Sequence, residues 1–230
     1  MDLTPRVTFD VNIQRFGTRA LQFLGTDGRV LTTPVVPDDT GRAFGLQSIT
    51  LLSHTGAHID SPARLLRGGE HPSDVLLDHL FGRARVVDLR WHDRHSPIQI
   101  TDLELTPIDA DDIVLLFVGY EPPVGDEWPV HASLSVQASE WLVAKRIRAL
   151  GTDMPAVVRY DVIEERLRKS QPPESVWAEY LPLLQAGVPV IAGLVNLHEI
   201  VSEAKVAFAG FPLPLVEADG APVRAAALVY

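Results

Sequence analysis

Short apolar runs, each of strand length and each closed by turn residues, recur along this chain and alternate with segments of helical spacing. That alternation restricts the fold more than any other feature, because it calls for a sheet whose strands are separated by helices. Residues 85–89, 113–118, 188–191 and 206–209 read as strands, and 223–230 as a further one. Leu134, Ala138, Trp141, Leu142 and Lys145 recur at helical spacing, with Ser133 or Ser135 placed to cap the start. Ser73 and Asp74 can cap a short helix through Leu80, and residues 177–186 read as a helix closed by Gly187. Pro and Gly mark loops at 121–125 and 171–174. The second lies in a polar, charged stretch from Glu164 and reads as a mobile loop, too short to link two domains. The 230 residues are therefore expected to form one mixed α/β domain, residues 1–230, whose strand order the pattern does not specify.

Composition removes several classes of function. A net charge of −10 argues against nucleic acid and anionic membranes as partners. The chain has no cysteine, which excludes disulfides, thiolate nucleophiles and cysteine zinc sites, and fits a reducing cytoplasm. The start shows no basic region followed by an apolar stretch, so no signal peptide is expected. The longest apolar run, 113–118, is far short of the ~20 residues that span a bilayer. No Gly-x-Ser-x-Gly elbow, phosphate loop or dinucleotide fingerprint is present.

The segment that carries chemistry is 54–62, His-Thr-Gly-Ala-His-Ile-Asp-Ser-Pro. His54, His58 and Asp60 are nitrogen and oxygen donors suited to zinc or manganese. A helix would put His54 and His58 on one face but turn Asp60 away. A strand puts His58 and Asp60 on one side, about 7 Å apart at Cα, and leaves His54 roughly 13 Å from His58. All three reach one ion only if the chain bends between them, and Gly56 is the residue most able to bend. Pro62 stiffens the exit. The competing reading is a solvated loop or a hydrogen-bonded buried pair.

This segment resembles the His-x-Gly-Thr-His-x-Asp-x-Pro-x-His signature of the cyclase family, which includes bacterial kynurenine formamidases, isatin hydrolases and polyketide-type cyclases. The resemblance extends along most of the chain: Gly151-Thr-Asp-Met-Pro155, Leu183-Leu-Gln-Ala-Gly-Val188, Gly193-Leu-Val-Asn-Leu197, Phe211-Pro-Leu213 and Asp219-Gly-Ala-Pro-Val-Arg-Ala225 match family stretches in order. It implies a swivelling β/β/α fold, with a mixed central sheet or partial barrel and flanking helices, assembled as a homo-oligomer. It also implies that His54, His58 and Asp60 hold a metal. The signature's last His, implicated in catalysis, falls on Arg64, and its Thr on Ala57. A further His and Glu of the formamidases fall on Tyr180 and Ala192, so a second metal set looks dismantled. Arg64 stays protonated and cannot be a general base, but it can hold a carboxylate or stabilise an oxyanion. Tyr180, with a pKa of about 10, is a poor base.

Other candidates carry less. His131 precedes the 134–145 helix and is a candidate substrate contact, against the reading of a solvated loop histidine. Asp153 fits a turn, His92 and His95 a surface loop, and His71 and His79 turn and helix-surface positions. Phe9, Phe16 and Phe23 recur every seven residues and read as core or subunit contacts.

The first functional expectation is a cytoplasmic cyclase that closes a ring in a small natural-product intermediate of polyketide type. It would use acid/base and oxyanion chemistry, with one divalent metal or none. Arg64 or the metal would stabilise the oxyanion, Tyr180 donate a proton, and His58 or Asp60 serve as base. The alternatives are a single-metal amidohydrolase acting on a formamide, lactam or similar compound, and a pseudoenzyme that keeps the fold without the chemistry.

Overall fold

Strand β6 (Ile113–Phe117) is buried at every position, and its side chains divide between two apolar clusters. Ile113, Leu115 and Phe117 belong to one, Val114 and Leu116 to the other. That division is the period of two of a strand covered on both faces. The computed structural model describes Met1, Leu3 and residues 31–35, 46–122 and 129–230, with only the backbone described at 31–35 and 46–50. The expectations for Phe9, Phe16 and Phe23, and part of the 121–125 loop, lie outside the described residues.

Seven strands close into a barrel in the order β10, β11, β3, β9, β8, β6, β4. They are β3 (His58–Asp60), β4 (Phe81–Asp88), β6, β8 (Ala149–Thr152), β9 (Val190–Ala192), β10 (Val206–Pro212) and β11 (Gly220–Val229). Strands β4, β6, β8 and β9 run parallel, and β10 closes the ring by antiparallel pairing with β4. The mixed sheet with flanking helices is thus as expected, and its closure is complete. Two small pairs lie outside it: β1 (Leu31–Val35) with β2 (Leu46–Thr50), and β5 (Pro97–Ile98) with β7 (Ser133–Leu134).

A seven-stranded ring leaves a narrow interior, and small residues fill it. Ala57, Ala84, Ala149, Ala221, Ala225 and Ala227 share it with Ile59, Leu115, Ile191 and Phe208. At Gly151 a Cβ would come within 2.5 Å of Leu115. The second cluster packs the barrel's outer face against α2 (Val136–Ala144), α3 (Tyr160–Arg168) and α5 (Leu181–Gln185). The remaining helices, α1 (Ile100–Leu103) and α4 (Pro173–Val176), are single turns. No helix among the described residues is long and apolar enough to cross a membrane.

Three local expectations are corrected. The helix expected from Ser73 to Leu80 is reduced to a 3-10 turn, Leu77–His79, with no buried residue. The helix expected at 177–186 splits: residues 177–180 form turns, and α5 begins only at Leu181, with Gly187 in the left-handed region as anticipated. The loop expected at 171–174 is cut short, because Pro173 and Glu174 begin α4, and the charged stretch that leads to it from Glu164 is helical to Arg168 as part of α3. Tyr160 and Ile163 form its buried face and with Leu167 fall at helical spacing, while Glu164–Arg168 and Glu165–Lys169 pairs line its exposed face. Ser135, by contrast, caps α2 as read, accepting a hydrogen bond from the Ala138 amide.

Gly193 marks a close backbone approach in this frame. Its φ is +72°, and a Cβ there would lie 2.7 Å from the Gly56 carbonyl oxygen. Gly193→Ala is expected to lower the unfolding free energy by at least about 1 kcal/mol, from the left-handed backbone and the clash together. Urea unfolding checks this.

Candidate metal centre

Ile59 points into the barrel, so His58 and Asp60, its neighbours on β3, point out of it. They emerge beneath the helical layer that carries Tyr180. The bend expected between His54 and His58 is present: Gly56 has φ +67°, and the turn brings the His54 ring to within 5.0 Å of the His58 ring, edge to face. His54, His58 and Asp60 each offer a ligand atom, and these atoms lie within 4.8 Å of one another.

The donor atoms are set as a metal requires. His58 Nδ1 donates to the Gly56 carbonyl at 2.9 Å, which leaves the Nε2 lone pair facing Asp60. Burial holds the His58 pKa down at about 4, against the attraction of Asp60, so the ring is a neutral ligand. His58 Nε2 and Asp60 Oδ1 are 3.8 Å apart, too far for a hydrogen bond and close to the ~3–4 Å between two ligands sharing one ion. Asp60 is fully buried and its Oδ2 has no hydrogen-bond partner. Burial alone would raise the carboxyl pKa, but Arg64 and the two histidines hold it far below the usual range. These residues fit a single divalent cation.

Sequence reading missed Asp219. It precedes β11 and its Oδ2 accepts from His54 Nε2 at 2.8 Å, across 165 positions of chain. This turns His54 Nδ1 toward Asp60 Oδ1, 2.9 Å away. Ser53 Oγ donates to Asp219 Oδ1, and Ser61 holds the Asp219 carbonyl with both its amide and its hydroxyl. The next residue must be glycine, because a Cβ on Gly220 would meet His54 Cε1 at 2.5 Å. Burial and Arg64 depress the His54 pKa, but the hydrogen bonds to Asp219 and Asp60 outweigh them and raise it overall. The signals in the sequence were its place at the head of the family-like stretch 219–225 and the Asp-Gly pair at 219–220, which reads equally well as a turn.

Arg64, from the 3-10 turn Pro62–Arg64, enters the same cluster. Its Nη1 lies 2.7 Å from Asp60 Oδ1 and 2.8 and 2.7 Å from Nδ1 and Nε2 of His54. The guanidinium carbon sits 5.0 Å from the Trp177 ring centre and 5.5 Å from that of Tyr180. Those rings are placed by a two-pronged Arg166–Glu179 pair at 2.6 Å per contact, which ties α3 to the 177–180 turn.

The other expected residues divide. Tyr180 presents its ring to Arg64, while its hydroxyl accepts from the Val157 amide at 3.2 Å. Burial pushes its pKa well above 10. Ala192 stands directly across from His58 in the β3–β9 register and offers no ligand, so no additional donor comes from that strand. His131 belongs elsewhere: it lines a pocket of about 340 Å³ with Arg90, His92, Arg94 and Tyr120, none of them in the metal cluster. His131 is buried rather than solvated, and burial lowers its pKa to about 4. Asp153 serves the backbone, accepting from the Val118 and Tyr120 amides, and burial raises its pKa to about 6.

Comparison with known proteins agrees with this architecture. The model of the Cyclase family, described as "Putative cyclase", matches residues 1–158. A kynurenine formamidase of Geobacillus thermodenitrificans is 31% identical over 207 residues, covering 84% of this chain and 90% of the relative. One from Salinibacter ruber is 30% identical over 186 residues, 80% of this chain and 79% of the relative. Among solved structures, isatin hydrolase A from Labrenzia aggregata superposes with a TM-score of 0.75 at 20% identity, covering 100% of this chain and 93% of that one. At that identity it speaks for the fold alone.

Two outcomes follow from the geometry. Asp219→Asn removes the charge that orients His54 and is expected to weaken metal affinity about 10–100-fold, measured by isothermal titration calorimetry. In metal-free protein, His58 and His131 titrate at about 4, below the unfolded value of 6.5. The unfolded chain therefore binds more protons between those values. The stability they contribute is complete above pH 6.5 and is lost as pH falls toward 4. A melting temperature that declines over this window, with a shallower decline in His131→Gln, is the expected result.

Proposed function

The chain belongs to the cyclase family, and from that membership and the donor geometry we propose that it is a metal-dependent amidohydrolase. In this reading it opens a carbon–nitrogen bond in a small acyl or amide substrate, such as an aryl formamide or a cyclic amide, with one divalent cation. The observation that carries it is the triad of His54, His58 and Asp60, with His58 fixed in the tautomer that leaves Nε2 free. The named activity of the formamidase relatives points the same way. This shifts the weight from ring closure, the first expectation from the sequence, to hydrolysis.

A divalent cation held by His54, His58 and Asp60 would supply Lewis acidity, polarising a carbonyl and lowering the pKa of water. The protein's own groups do the rest. Asp219, pinned by Ser53 and Ser61, holds the His54 ring in place. Arg64 keeps its proton and would donate to an anionic oxygen of the substrate. Trp177 and Tyr180 wall the site and exclude water from the guanidinium. In this reading Tyr180 packs and does not deliver a proton, because its hydroxyl is engaged by Val157 and burial opposes its ionisation.

A second reading is ring closure without metal. It is favoured by Arg64, whose guanidinium already neutralises Asp60 and leaves a cation beside a neutral His58. The family's homo-oligomeric assembly and a small-molecule substrate are part of either proposal.

Metal analysis of protein purified without chelators, paired with turnover of N-formylaniline and isatin, tests the proposal. About one zinc or manganese per chain is expected, lost in His58→Ala together with at least about a 100-fold fall in kcat/KM. Tyr180→Phe is expected to stay within about threefold of the parent. A chain that takes up no metal overturns the hydrolase reading. Ring closure by metal-free protein, abolished in Arg64→Ala, would establish the second reading.

A further inference from the structure

The Asp60 oxygen that faces both histidines is the one Arg64 already holds. Oδ1 lies 2.9 Å from His54 Nδ1, 3.8 Å from His58 Nε2 and 2.7 Å from Arg64 Nη1. The same Nη1 straddles both ring nitrogens of His54, whose lone pairs and protons are aimed at Asp60 and Asp219 rather than at a third partner. A guanidinium nitrogen therefore stands in the middle of a donor set suited to a divalent cation. A metal bonded to these atoms at about 2.0–2.2 Å would share that space with a second positive charge, in a site largely closed to water.

We propose that Arg64 is an internal competitor for the metal, and that metal binding releases its guanidinium to form an anion-binding site for a substrate carboxylate. The proposal rests on the metal reading above but adds to it a binding site and a substrate class. The released group has the properties such a site needs. Its Nε is buried and has no hydrogen-bond partner, so donor capacity is unspent. Its side chain is 12% exposed, so the charge is poorly screened. It is stacked beside Trp177 and Tyr180, whose faces suit a flat apolar group attached to the anion. Asp60, relieved of Arg64, keeps its charge balanced by the metal, and Arg64, relieved of Asp60, finds its balance in the ligand. Each binding event removes the cost of the other, so metal and carboxylate must bind with positive linkage.

Calorimetric titration of zinc into metal-free protein, with and without saturating benzoate, tests this without any assay of activity. In the wild type, benzoate is expected to tighten zinc binding at least about fivefold, within the usual range of linkage between two sites. Arg64→Met, which keeps much of the side-chain volume, is expected to bind zinc at least tenfold more tightly than wild type, and benzoate should then have no effect. Equal or weaker zinc binding by R64M overturns the competition. Absence of linkage in the wild type overturns the anion site, and needs no variant to fold. If R64M binds zinc and the wild type does not, the inference stands in its strongest form. If neither binds zinc, the metal reading itself falls and takes this inference with it.

Discussion

A carboxylate with no exposure to water must find positive charge or donors within the protein, and Asp60 is such a group. The arrangement around it follows from that requirement. Arg64 arrives four residues later on a turn begun by Pro62, His54 is folded back over it by the Gly56 turn, and His58 reaches it along the same strand face. The strand itself is held on both sides, by β11 and by β9, so the carboxylate cannot retreat to solvent. A charge placed this way is costly unless a cation answers it, and two cations can: the guanidinium that is present and the metal that the donor set fits.

The barrel supplies the precision. His54 and Asp219 belong to opposite ends of the chain, and only the pairing of β3 with β11 makes them neighbours. Glycine at 220 admits the imidazole, glycine at 193 admits the Gly56 turn, and Ser61, between Asp60 and Pro62, holds the Asp219 backbone. Two residues that look like connectors in the sequence, Ser61 and Gly220, thus decide where a metal ligand points. The walls of the site come from the helical layer, where the Arg166–Glu179 pair sets Trp177 and Tyr180 against Arg64.

The fold and the family agree with expectation, whereas the chemistry separates from it residue by residue. Neither Tyr180 nor Ala192 adds a ligand: one presents a ring to Arg64 and the other a methyl group across from His58. The candidate metal site among the described residues has a permanent cation beside it. Residue type alone favoured ring closure over hydrolysis, although both use a Lewis acid or a guanidinium against an oxyanion.

Much was legible in the sequence because it depends on local rules. Five of the seven barrel strands follow from apolar runs, among them 113–118 and 206–209, while β3 and β8 do not; the α2 cap follows from Ser135 and the clustering of His54 with His58 and Asp60 from the bend that Gly56 permits. The α3 helix is easily missed, although Tyr160, Ile163 and Leu167 fall at helical spacing, because its charged residues run on into the Pro-rich loop that follows. Asp219 escaped because its meaning lies in a contact across 165 residues, and an Asp-Gly pair looks the same whether or not a histidine faces it. His131 looked like a solvated loop histidine until the packing buried it in a separate pocket. The sequence by itself determined the donors, the family and the layer architecture, since these follow from residue chemistry and periodicity. Only the tertiary structure decided that Arg64 shares an oxygen with the metal site, because that depends on which side chains a closed barrel forces around one buried charge.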